Sequence, residues 1–259
     1  MKIAAWNVNS ARARLPHILR CLSEFAPDVV LLQETKSTDD NFPFADLAAA
    51  GYQTAHYGQK SYNGVAIVAR VPLSDIVRGM PQRPDDGQAR VVAATAEYDG
   101  APLRLVSVYA PNGENLESEK YRYKLEWYAD FCDYLSEARA QFSAVAAGGD
   151  YNIAPADEDI YDAEEWGEEV LASPPERAAL QKILAAGYAD AHRLFSQPEK
   201  SFSWWDYRAA AFRRNRGARI DLILLSAELR EKCVGCAPDP APRGWERPSD
   251  HTPVVAALR

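Results

Sequence analysis

Four cysteines, Cys21, Cys132, Cys233 and Cys236, are too few and too scattered to staple a chain of 259 residues, so reduced thiols are expected. Cys233 and Cys236 have the spacing of a metal or redox pair. No second ligand pair accompanies them for zinc, and no βαβ setting surrounds them for a thioredoxin-type site, so they read as two thiols near a helix end. No run of about 18 apolar residues exists to span a bilayer, and no basic and apolar leader opens the chain. A soluble, cytoplasmic protein without a membrane partner is expected. Positive charge is short as well: 29 Lys and Arg against 37 Asp and Glu leave a net charge of -8, which argues against coating nucleic acid by bulk charge. Repeats, low-complexity tracts and linkers are missing too. One compact domain over residues 1–259 is therefore expected, as a monomer, with 47% hydrophobic residues to form its core.

Charge is unevenly placed. Eight acids crowd Asp157 to Glu169, whereas Arg208 to Arg219 carries five arginines and no acid. The acidic run reads as a solvated face. The basic run leaves room for a phosphate-binding strip on an acidic protein.

Hydrophobic periodicity gives the elements. Lys2 to Val8 reads as a strand, Leu15 to Phe25 as a helix stopped by Pro27, and Val29 to Leu32 as a buried strand. Phe44 to Ala50 suggests a short helix closed by Gly51. Tyr52 to Tyr57, Val65 to Ala69, Val91 to Tyr98 and Leu103 to Tyr109 read as antiparallel strands separated by turn-rich pieces. Lys120 to Ala140 is the strongest helix, with Tyr121, Leu125, Tyr128, Phe131, Cys132 and Leu135 on one stripe. Phe142 to Ala147 is a strand, Pro174 to Ala186 a helix ended by Gly187, and Ile220 to Leu225 and Pro253 to Leu258 are strands. Helices interleaved with strands of mixed direction fit a layered α/β sandwich.

Polar residues collect at the strand ends. Asn7 and Asn9 follow the first strand, Glu34 the second, Tyr109 and Asn112 the Leu103 to Tyr109 strand, and Asp150 and Asn152 follow Gly148-Gly149. Asp221 starts a strand, and Asp250-His251 precedes the last. Asp150 and Asn152, two apart, point to the same side of an extended chain. If these ends share a rim, carboxylates, amides, a phenol and a histidine converge. Such hard donors suit magnesium or manganese, not zinc, and suit phosphate-ester chemistry. Among four histidines, His251 beside Asp250 is the base candidate, while His17, His56 and His192 are read as structural.

Trp6-Asn7-Val8-Asn9, Leu32-Gln33-Glu34-Thr35-Lys36, Tyr109-Ala110-Pro111-Asn112-Gly113, Gly148-Gly149-Asp150-Tyr151-Asn152-Ile153 and Ser249-Asp250-His251 resemble the exonuclease III family of apurinic/apyrimidinic endonucleases, within the endonuclease/exonuclease/phosphatase superfamily. Phe202-Ser203-Trp204-Trp205-Asp206-Tyr207-Arg208, followed by Asn215-Arg216-Gly217-Ala218-Arg219-Ile220-Asp221, resembles its bacterial branch. The resemblance implies a four-layered α/β sandwich, two packed mixed β-sheets flanked by helices. It implies Mg2+- or Mn2+-dependent cleavage of duplex DNA 5′ to abasic sites, with 3′-5′ exonuclease action and cleaning of blocked 3′ ends. Glu34 would hold the metal with Asn7 and Asp250 close by, and Asp150, Asn152 and His251 would line a second metal position if there is one. Asp150 would activate water, Asn152 steady the phosphate, Asp221 orient His251, and Tyr109 sit near the scissile group. Lys60, Asn112, Trp204, Arg208, Arg216 and Ile220 would contact DNA, with Lys60 on the loop Gln59 to Gly64, and Arg213, Arg214 and Arg219 as further phosphate candidates.

Two positions depart from the family pattern. Ala218 stands where a larger apolar residue is usual, so a looser pocket favouring exonuclease action is expected there. Tyr151 replaces an aliphatic or Met side chain and is expected to face the core. Two other functions compete: the same chemistry on RNA, a lipid head group or an inositol phosphate, and a catalytically silent regulatory relative that binds nucleic acid. The Arg208 to Asp221 segment favours DNA, and the complete polar set favours activity.

Overall fold

A computed structural model describes residues 1–259. The elements in chain order are β1 (Lys2–Asn7), α1 (Leu15–Glu24), β2 (Val29–Gln33), α2 (Phe44–Ala49), β3 (Gln53–Tyr57), β4 (Val65–Ala69), β5 (Ser74–Arg78), β6 (Val91–Tyr98), β7 (Ala101–Tyr109) and α3 (Glu119–Gln141). They continue with β8 (Ala144–Asp150), α4 (Ala163–Trp166), α5 (Pro174–Ala185), β9 (Tyr188–Asp190), β10 (Asp221–Ser226), α6 (Ala227–Lys232), β11 (Cys233–Pro238) and β12 (Val254–Leu258). No helix is long and apolar enough to cross a membrane.

The strands form two six-stranded sheets, ordered β11-β12-β1-β2-β4-β3 and β5-β6-β7-β8-β10-β9. Each has one parallel pair at its centre, β1 with β2 and β7 with β8. Alternation along the strands sorts side chains to two faces. Ile3, Ala5, Val29 and Leu31 meet Leu105, Ala146, Ile223 and Leu225 between the sheets. Ala4, Trp6, Val30 and Leu32 point outward onto Ile18, Cys21 and Leu22 of α1 and Leu47 of α2. On the far side, Val106, Val108, Val145 and Ala147 pack under Trp127, Phe131 and Leu135 of α3 and Leu180 and Ile183 of α5. The layers therefore run helix, sheet, sheet, helix, the four-layered sandwich that the resemblance implies.

Several sequence expectations need correction. The strand expected over Phe142 to Ala147 begins at Ala144 and runs through both glycines to Asp150. On α3 Leu125 is half-buried, whereas Lys124 is fully buried. Tyr151 faces the core, as expected. The four thiols are unpaired, and Cys233 and Cys236 lie on β11 immediately after α6. β5, β9 and β11 were not foreseen.

Candidate active site

Strand topology gathers the polar residues. Both parallel pairs run toward the same rim, where loops after carboxyl ends of strands lie outside the ladder and are free to carry side chains. Asn7 ends β1, Glu34 follows β2, Tyr109 ends β7 and Asp150 ends β8. β10 is antiparallel to β8 with Asp221 opposite Asp150, so its first residue reaches the same rim. β12 is antiparallel to β1, which brings the preceding Asp250 and His251 there too. Glu34 (φ 49°) and Asn152 (φ 49°) adopt the left-handed conformation, uncommon for residues other than glycine and concentrated at functional sites.

Asn7 joins the two sheets: its Nδ2 donates to Glu34 Oε1 at 2.8 Å and to Asp150 Oδ2 at 3.0 Å. Its Oδ1 accepts the Asn9 backbone N–H at 3.0 Å, which fixes the amide orientation. Lys36 Nζ lies 2.8 Å from Glu34 Oε2. Asp150 Oδ1 accepts the backbone N–H of Asn152 at 2.9 Å. His251 Nδ1 is 2.8 Å from Asp221 Oδ2, and its Nε2 is 3.7 Å from Asp150 Oδ2. Ser203 Oγ donates to Asp221 Oδ2 at 2.6 Å while accepting the backbone N–H groups of Ile220 and Asp221, so it holds the carboxylate that holds the imidazole.

Electrostatics follow from this burial. Burial opposes charge on His251, yet the carboxylates of Asp221 and Asp150 prevail and raise its pKa to about 10, keeping the ring protonated. Burial pushes the Asp150 carboxyl up to about 7, offset in part by His251. The Tyr109 phenol is raised by burial and by Glu34 and Asp150, and stays neutral.

Ligand atoms of Glu34, Asp150 and His251 all lie within 4.8 Å of one another, a spacing that could hold a metal ion. Two carboxylates bridged by one amide make a hard-oxygen site, so the residues fit a divalent ion. His251 belongs to the same cluster: with Nδ1 held by Asp221, its Nε2 faces Asp150, where it can donate as an imidazolium or, deprotonated, ligate the ion. Asn7 is also placed as an orienting donor. Asp250 stands outside the cluster, its oxygens taken by Asn9 Nδ2 at 3.0 Å and Trp204 Nε1 at 3.2 Å.

A cleft of about 270 Å³ opens at the rim, lined by Glu34, Tyr109, Asn112, Asp150, Asn152, Leu171, Trp204, Ile220, Asp250 and His251. Ala218 is absent from this wall. It is fully buried, bridged to Trp204 and Ile160 and packed behind the wall residues Leu171, Ile220 and Trp204, so its small size acts on the cleft through the packing of that wall. Leu171 was missed, because an apolar residue ending an acidic loop gives no signal in the sequence.

The glycines before Asp150 are set by packing. A Cβ at Gly149 would sit 1.9 Å from the Val108 carbonyl oxygen, and one at Gly148 would sit 2.8 Å from Leu31 Cδ1 of the facing sheet.

Among the basic candidates, Lys60, Arg208, Arg213 and Arg214 are exposed. Arg216 is engaged by Glu165 and by Tyr161 Oη at 2.6 Å. Arg219 is buried, with Nε 2.7 Å from Asp159 Oδ1 and Nη1 2.7 Å from Asp190 Oδ2, which removes it from the phosphate candidates. Asp159 likewise departs from the solvated face expected of the acidic run. Nearby His192 is buried with neither ring nitrogen bonded. Burial, then Arg219, lowers its pKa from 6.5 to about 4. A depressed imidazole contributes stability that is complete above pH 6.5 and is lost as pH falls toward 4. Urea midpoints should therefore fall between pH 7 and pH 5, and fall less in His192→Phe; equal losses would remove His192 as the cause.

Two packed sheets that bring paired carboxylates, a protonated imidazole and amides to one open rim define a phosphoesterase of the α/β sandwich class. The chain belongs to the endonuclease/exonuclease/phosphatase family, whose profile matches residues 4–251. It is 37% identical to exodeoxyribonuclease III of Haemophilus influenzae over 100% of both chains. A 3′ phosphatase from Neisseria, NExo, solved with a product DNA hairpin, superimposes with a TM-score of 0.97 at 41% identity, covering 100% of this chain and 99% of that one. An AP endonuclease from Archaeoglobus fulgidus gives a TM-score of 0.92 at 35% identity, covering 100% and 99%.

Proposed function

We propose that this protein is a metal-dependent DNA-repair phosphodiesterase that cleaves duplex DNA 5′ to abasic sites and trims or unblocks 3′ ends. The observation that carries the reading is the convergence of Glu34, Asp150, Asn152, Asp221 and His251 on one rim, beside an apolar wall of Leu171, Trp204 and Ile220. Such a wall admits a sugar without its base more readily than a whole nucleotide. Exposed Lys60, Arg208, Arg213 and Arg214 would meet backbone phosphates despite the acidic net charge. A groove of about 600 Å³ that includes Tyr62, Lys120 and Asn112 continues from the cleft and gives the duplex a path.

Asp150 accepts a proton from the attacking water. Water adds to phosphorus, the bond to the 3′ oxygen breaks, that oxygen takes a proton from solvent, and the products are a 3′-hydroxyl and a 5′-phosphate. Charge grows on the nonbridging and leaving oxygens, where His251, held cationic by Asp221, and the amides of Asn152 and Asn112 donate. Glu34 and Asp150 would hold magnesium or manganese, which supplies further neutralisation of that charge.

Purified protein incubated with an abasic-site duplex should incise it in magnesium and not in EDTA, and should release phosphate from a 3′-phosphate duplex. Folded protein that incises neither in magnesium overturns the reading.

A further inference from the structure

An ammonium group closed off from water lies directly beneath the rim. Lys124 of α3 and Glu176 of α5 are each 0% exposed and form an ion pair. Burying two charges costs several kcal/mol per ion, and apolar side chains of similar volume would join two helices as well. The pair makes further bonds that apolar residues could not make. Lys124 Nζ donates to the carbonyl oxygens of Asn112 at 2.9 Å and Asn152 at 2.7 Å, which with Glu176 uses all three of its hydrogens. Glu176 Oε1 accepts the Leu171 N–H at 3.0 Å, and Oε2 accepts the Ser173 N–H at 3.0 Å.

Three loops are therefore tied to one buried pair: those after β7 and β8, and the one entering α5. Each supplies a wall residue of the cleft, respectively Asn112, Asn152 and Leu171. Asn112 Nδ2 donates to Asn152 Oδ1 at 3.1 Å, so the two side chains move together. Asn152 and Leu171 (φ 78°) are both left-handed, a conformation that persists only where surroundings enforce it. Gly113 (φ 100°) lets the ammonium stem pass, since a Cβ there would lie 3.2 Å from Lys124 Cδ.

We propose that Lys124 and Glu176 are positioning residues of this site, setting the backbone of Asn112, Asn152 and Leu171 so that the two amides, linked to each other and through Asn152 Nδ2 to the Ala110 carbonyl at 2.9 Å, keep one arrangement in the cleft wall. The proposal rests on the phosphodiesterase reading above for its kinetic consequence. An amide misdirected by a relaxed loop weakens transition-state contact more than duplex binding, so kcat falls and KM stays.

Lys124→Met, Glu176→Gln and the double variant test it. Each single change leaves a buried group without its partner and should lower the unfolding midpoint. The double variant has no unpaired charge and should recover part of it, the carbonyls of Asn112 and Asn152 still lacking their donor. Its turnover on abasic duplex in magnesium should nevertheless remain about tenfold or more below the parent, with KM within about twofold. The side-chain amide resonances of Asn112 and Asn152 should shift and broaden in the same variant. Recovery of turnover together with stability would make the pair a packing device only and overturn the proposal. If the parent cleaves no DNA, the functional reading fails, and the amide resonances still decide the positioning: moved signals support it and unmoved signals overturn it.

Discussion

Asp150→Asn should lower turnover on an abasic duplex by about a thousandfold or more while moving the thermal midpoint little. The loss follows because the amide neither accepts a proton nor contributes charge to a cation site. The small stability change follows from opposing effects. Asp150 is 2% exposed, and burial already drives its carboxyl up to about 7, so a neutral side chain removes a costly buried charge. Against that, the new NH2 would face the donors Asn7 Nδ2 and His251 Nε2, where Oδ2 now accepts at 3.0 Å from the first and pairs at 3.7 Å with the second. His251→Ala should be equally inactive but less stable, because it strips the cation from two buried carboxylates at once. Single-turnover rates and melting curves for both variants separate chemistry from folding. Turnover within about tenfold of the parent in Asp150→Asn would remove Asp150 as the proton acceptor.

Why these residues could be found in the sequence, and others could not, has physical reasons. Central strands buried on both faces are continuous apolar runs, so β1, β2, β4, β6, β7, β10 and β12 stand out, and polar residues at their ends are conspicuous by contrast. Three of the four sheet edges were invisible. β5 is mostly exposed and shifts register between Ser74 and Val77, β9 has three residues, and β11 carries Gly235 with a shift beside it. An edge strand buries too little to need an apolar pattern.

Residues that act through others were equally hidden. Lys124 sits on the same stripe as Tyr121, Tyr128, Phe131 and Leu135, but a lysine gives no apolar signal there, and its partner Glu176 is 52 residues away. Ser203 stood inside a recognised motif, but its three hydrogen bonds exist only once β10 lies beside it. Catalytic side chains are legible because their chemistry restricts residue type. Supporting contacts are set by tertiary neighbours.

Arg219 shows the same limit from the opposite side and yields the second large effect. In the sequence it is one of five arginines in a strip suited to phosphate. In the fold its guanidinium spans Asp159, bound twice at 2.7 Å and 3.2 Å, and Asp190 at 2.7 Å, and its backbone N–H donates to the Asp159 carbonyl at 2.8 Å. Asp159 belongs to the acidic loop whose Ile160 bridges Ala218, so this network seats the loop against the cleft wall. Arg219→Leu leaves buried Asp190 without its cation and Asp159 with only Arg193 Nη2 at 2.5 Å. Breaking such a set costs about 3–5 kcal/mol, and a chain of this size should lose roughly 10 °C in melting midpoint. Because no phosphate contact is lost, the slope of log affinity against log salt for duplex DNA, measured in the cold where the variant is folded, should be unchanged. Arg208→Ala, which removes an exposed charge, should instead reduce that slope by about one and leave the midpoint in place. If Arg219→Leu flattened the salt slope and kept the parental midpoint, the guanidinium would belong to the DNA and not to the core.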